Sequence, residues 1–163
     1  MWRYRIWRNP VKIFSAVFIL SFGFSFAQDF TQRVNMIVVI DNNVVVGGIM
    51  SPQLVVARMK LPVRYEPGNL SFVMSELQKK AFNTDSSKVY FDFYYNEFIK
   101  RKEYSHHYKI VLEKKWLDLS FLVLRIYNMN KKWNRKTYNS LDEESYTYEM
   151  DTPFGSVNRI RKK

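Results

Sequence analysis

The sequence predicts an all-β fold: a single antiparallel β-sandwich of seven or eight strands with one short helix. Three observations carry that reading. β-branched and aromatic residues recur in short runs, several of which alternate apolar and polar side chains. Asn, Gly, Pro and Asp pairs punctuate those runs. Only one stretch has the residues that start and stop a helix.

Ahead of the strands stands a leader. Arg3, Arg5, Arg8 and Lys12 form a basic head without an acid, and Ile13 to Phe26 is an almost uninterrupted apolar run. Ser25-Phe26-Ala27 then sets small residues at the two positions that signal peptidase reads. Residues 1–27 are therefore expected to be a secretory signal peptide cut between Ala27 and Gln28. The protein is then exported, to the periplasm or outside the cell, and residues 28–163 form its one domain. The other reading is an uncleaved anchor, for which the 15 residues from Ile13 to Ala27 are short of the roughly 20 that span a bilayer core. No cysteine follows the run, so a lipid-modified bacterial lipoprotein is excluded, and no stable membrane insertion is expected after cleavage.

The elements follow in order. Val34 to Asp41 (VNMIVVID) is apolar on both faces, as a central strand would be. Asn42-Asn43 suits a tight hairpin into Val44-Val45-Val46, and Gly47-Gly48 ends that run. From Val55 to Tyr65 odd positions are apolar or aromatic, while Arg58, Lys60 and Arg64 face the other way, which predicts one strand with a wet, basic face. Glu66-Pro67-Gly68-Asn69 is a turn. Ser75 and Gln78 stand at capping-box spacing, predicting a helix over Glu76 to Phe82 that Asn83 stops in a left-handed conformation. Thr84-Asp85-Ser86-Ser87 is a polar loop.

Strands resume over Lys88 to Tyr95 and Glu103 to Glu113, with Lys100-Arg101-Lys102 at the turn between them, and over Leu119 to Asn128. Asn130 to Asn139 is a basic polar loop, Ser145 to Met150 a short strand, and Pro153-Phe154-Gly155 a turn before a last strand, Val157 to Arg161. The most economical architecture is Ig-like or transthyretin-like in outline, with a small barrel as the alternative.

Composition narrows the chemistry. Without the leader's four basic residues, the chain's 26 Lys and Arg still exceed its 15 acids by seven. Cysteine is absent, which removes disulfides, thiol catalysis and iron–sulfur clusters together. His106-His107 is the only histidine pair, and neighbours on a strand face opposite ways, so they do not chelate one metal. The expected arrangement is one inward histidine satisfied by a hydroxyl and one at the surface. No nucleophile elbow, phosphate loop or zinc-protease motif occurs, and no cofactor is expected. Asp92, Glu97, Glu103 and Asp118 could pair as an acid/base couple, Asp92 standing out because Tyr90 and Tyr94 flank it.

Basic residues cluster with aromatics instead. Trp133 lies in the loop Asn130-Lys131-Lys132-Trp133-Asn134-Arg135-Lys136, where burial is hard to arrange, whereas Trp116, beside Leu117 and Leu119, belongs in the core. Trp133, Lys131, Lys132, Arg135 and Lys136 are thus the candidate ligand contacts, flat ring and cations together. The plain alternative is a solvated basic surface that keeps the domain soluble.

The leader resembles those of small exported Gram-negative proteins. Ile126-Tyr127-Asn128, Tyr146-Thr147-Tyr148-Glu149 and Asp151 to Pro153, with the basic end Arg159 to Lys163, are similar to secreted proteins without an assigned activity, so no site residue is carried over. Export argues against nucleic acid as partner. The expected function is non-catalytic binding of an envelope protein or anionic glycan, with oligomeric state left open. Two alternatives stand: a small carbohydrate-active hydrolase using Asp92 with a second carboxylate, and a scaffold subunit that docks by strand addition at an edge such as Val157 to Lys163.

Overall fold

A computed structural model describes residues 29–84, 88–139, 145–158 and 160. The leader, its Ala27–Gln28 junction, most of the polar loop after Thr84, and the basic residues Arg159 and Arg161 to Lys163 lie outside the described residues.

Two sheets carry the chain. The first is antiparallel throughout and has six strands: β1 (Phe30–Val34), β6 (Asn69–Met74), β5 (Met59–Glu66), β4 (Ile49–Val56), β7 (Val89–Ile99) and β8 (Lys102–Leu112), in that spatial order. The second has five: β11 (Gly155–Val157), β10 (Tyr146–Thr152), β9 (Leu122–Asn128), β2 (Met36–Ile40) and β3 (Asn43–Val44). Here β2 and β9 run parallel, from Met36 opposite Leu122 to Ile40 opposite Ile126, so the fold is not purely antiparallel as expected. Two short helices, α1 (Glu76–Thr84) and α2 (Lys132–Thr137), and one 3-10 turn (Lys114–Asp118) complete the described chain.

Eleven strands among the described residues, where seven or eight were expected, reflect breaks that composition hides. Val34 and Met36 are both fully buried, but the exposed Asn35 between them is where the chain leaves one sheet for the other. The carbonyl of Asn35 accepts the Leu122 amide at 2.8 Å, and its side-chain amide donates to the Ser120 carbonyl at 3.0 Å. The expected single strand from Val55 to Tyr65 is a hairpin, turning at Ala57-Arg58 with Val56 opposite Met59 and Ala57 at φ 51°. The turn into β3 falls on Asp41-Asn42, one residue earlier than expected. The capping box is present: Ser75 N–H donates to Gln78 Oε1 at 2.9 Å, and Gln78 N–H to Ser75 Oγ at 3.3 Å. Asn83, however, stays inside α1. The last strand stops at Val157; Asn158 turns at φ 58°, and Ile160 leaves the sheet to pack on Tyr127 and Tyr138.

One core joins the inner faces of both sheets, with Leu54, Leu61, Phe91, Phe93 and Ile110 from the first and Met36, Val38, Leu122, Leu124 and Ile126 from the second. Tyrosines clip the sheets together by their hydroxyls. Tyr65 Oη accepts the Val38 amide at 2.9 Å, and Tyr146 Oη meets both the amide and the carbonyl of Lys109 at 3.0 Å. That second clip covers part of the open edge of β8, which would otherwise expose unpaired backbone groups.

Candidate functional site

The expected contact loop is a helix on a buried anchor. Asp41 and Asn42 both take positive φ, 50° and 69°, in a two-residue turn that Asp and Asn tolerate better than most side chains. The turn aims the Asp41 carboxylate inward, where only 8% of the side chain remains exposed. Its Oδ1 accepts the Asn128 amide at 2.9 Å and Asn134 Nδ2 at 2.6 Å. Its Oδ2 accepts Asn128 Nδ2 at 2.8 Å and Lys131 Nζ at 2.6 Å. Four donors from β9 and the start of α2 thus converge on one carboxylate.

This explains a helix that sequence reasoning read as a loop. Six residues are too few to be helical on their own, and Lys131 at the N-cap offers no capping side chain. Asp41 supplies the missing restraint from a turn 90 residues away in sequence, while Asn134 Nδ2 also donates to the Asn128 carbonyl at 2.9 Å. At the other end Tyr138 stacks on Tyr127, ring centroids 3.8 Å apart. The exposed outer surface of α2 carries Lys132, Trp133, Arg135 and Lys136. Trp133 is 56% exposed and meets Tyr138 edge-on at 5.9 Å.

Lys131 has a different place from its neighbours. Besides Asp41 its ammonium lies 3.3 Å from Glu97 Oε1, so it joins α2 to the β7–β8 hairpin. Burial works against its charge, but the hydrogen bonds and charges of Asp41 and Glu97 outweigh that and hold its pKa above the ordinary lysine value. Tyr108, beneath this network, donates to Asn128 Oδ1 at 2.7 Å, and burial pushes its phenol well up.

The histidines face opposite ways as expected. His107 is on the surface, 2.8 Å from Asp92 Oδ1 and stacked on Tyr94 at 4.6 Å. His106 points inward, yet it faces a carboxylate, not the expected hydroxyl: its Nε2 is 3.5 Å from Glu97 Oε2 and makes no hydrogen bond. The four candidate carboxylates are each met by a nitrogen donor: Asp92 by His107, Glu97 by Lys131, Glu103 by Asn96 and Asp118 by Gln32. Among the described residues no three His, Asp or Glu side chains gather as a metal would require, and no helix is long and apolar enough to cross a membrane. Trp116 is core, 8% exposed. Compared with protein-family models, curated proteins and solved structures, the chain matches none.

Proposed function

We propose that residues 28–163 are an exported, non-catalytic β-sandwich domain that binds an envelope component, an anionic glycan or an acidic protein surface, through α2. The observation that carries this reading is the exposed Trp133, set among Lys132, Arg135 and Lys136 on a helix whose position is locked by the buried Asp41. A large aromatic side chain left in water on a pre-positioned element loses little conformational freedom when a partner arrives. The surrounding cations match sulfate, carboxylate or phosphate groups, while the indole face matches a sugar ring or an apolar side chain. Lys131 is excluded from the contact set because its charge is already paired.

Retention of the purified protein on envelope extract, at low and at high salt, tests this. Retention is expected to fall as salt rises, and Trp133→Ala to weaken it about tenfold with the fold intact. A folded Trp133→Ala chain that binds as before removes α2 from the reading. One protein retained through high salt replaces it with strand addition.

A further inference from the structure

A second surface lies at the tip of the β7–β8 hairpin, beyond the Glu97 that meets Lys131 at the start of α2. Pairing of β4 with β7 begins at Ile49 opposite Tyr95, and β8 ends the sheet. The Asn96 amide still meets the Gly48 carbonyl at 3.0 Å; beyond it the β7–β8 hairpin runs on as a two-stranded ribbon, from Glu97 opposite Tyr104 to Ile99 opposite Lys102. Phe98 to Ser105 are exposed without interruption, with Phe98 at 71%, Ile99 at 43% and Tyr104 at 46%. Such a ribbon is marginal alone, and apolar residues at its end give it no core to gain.

Its turn is unusual too. Lys100 and Arg101 both take positive φ, 49° and 65°. This is the two-residue hairpin turn that Asn-Gly makes without strain, and here it is made by two long cations. A basic pair in a backbone conformation that neither residue favours points to a use for the charge. Lys102 follows directly, and the tip's only acid, Glu103, is engaged by Asn96 Nδ2 at 2.6 Å.

We propose that this tip docks on an anionic lipid surface, with Phe98, Ile99 and Tyr104 entering the interface and Lys100, Arg101 and Lys102 meeting the headgroups. The register decides for a lipid over a protein face. Phe98 shares one side of the ribbon with Glu103, while Ile99 and Tyr104 share the other with Lys102 and Glu97, so the wedge is apolar on both sides. A flat protein patch covers one side, whereas a lipid interface surrounds both. Apolar entry and cation–headgroup attraction reinforce each other at that depth.

The chain has no cysteine, so Phe98→Cys places a single environment-sensitive label at the tip of the full chain. Arg58→Cys labels the opposite end of the same sheet, and the leader is common to both. The tip label is expected to brighten and shift to the blue on phosphatidylcholine–phosphatidylglycerol vesicles but not on phosphatidylcholine alone, with the Arg58→Cys label silent. In the labelled chain, Lys100→Asn with Arg101→Gly is expected to cut vesicle affinity about thirtyfold and to raise Tm by a few degrees through relief of the turn. A silent tip label on vesicles that nonetheless bind the chain overturns the proposal, as does an equal response of both labels. So does the same tip signal from heparin in solution, which reassigns the site to a soluble polyanion. Unchanged affinity in the double variant overturns it as well, and so does lost affinity with a lowered Tm. Because the readout sits on the hairpin, none of these results bears on Trp133.

Discussion

Asp41 is the residue on which most of the polar end of the molecule depends. Its four donors come from Asn128, Lys131 and Asn134, none of which pairs with another carboxylate as closely. Asp41→Ala is expected to cost about 3 kcal/mol in urea denaturation, since buried amides lose their acceptor and Lys131 its nearer partner. A variant with wild-type stability would mean that α2 is held by the Tyr127–Tyr138 stack alone. Asp151 makes a prediction about pH. Burial pushes its carboxyl up, but the Ser156 hydroxyl and the Arg125 guanidinium, 2.9 Å away, outweigh that and hold it below its ordinary value of 3.8. With the folded value depressed, the stabilisation is whole above about pH 4 and is lost as pH falls through the folded pKa. Asp151→Asn is therefore expected to be less stable than wild type at neutral pH and to converge with it in acid, read as Tm against pH.

At the scale of elements, the strands with clean alternation were legible. β7 and β8 alternate against the shared core, so period two survives from sequence to structure, with Phe91, Phe93, Tyr108 and Ile110 inside. What was hidden are changes of direction that no Gly, Pro or pair of turn residues announces. Asn35 interrupts an apolar run without Gly or Pro. Ala57-Arg58 turns a hairpin with residues that the alternation absorbs. Likewise α2 has no local cap, and its restraint is a carboxylate distant in sequence, which no window of neighbouring residues reveals. Trp133 was legible because nothing near it in sequence could bury it. The pairing of Lys131 was not, because its partners lie on two other elements. The Ala57 turn offers a direct check. Ala57→Gly is expected to raise stability by about 1 kcal/mol, measured as Tm, because glycine accepts φ 51° without a Cβ penalty.

For the whole molecule, the single core shared by both sheets sets how it comes apart. Neither sheet buries its inner face without the other, and Tyr65 and Tyr146 bond across the gap. Unfolding followed by far-ultraviolet circular dichroism and by tryptophan fluorescence is expected to give one coincident transition. Separate midpoints would show that the sheets unfold independently.

The parallel pair β2–β9 has a consequence in time. β2 (MIVVI) leaves the ribosome early, but its long neighbour, β9, begins only at Leu122, and Asn35 waits for that same strand's amide. Until most of the chain exists, β2 has only the two-residue β3 beside it and cannot complete a sheet. Distant pairing of this kind slows folding and leaves an apolar strand open to wrong partners. For the export proposed above, the same delay keeps the chain open: the strand that completes the pairing of β2 does not begin until Leu122.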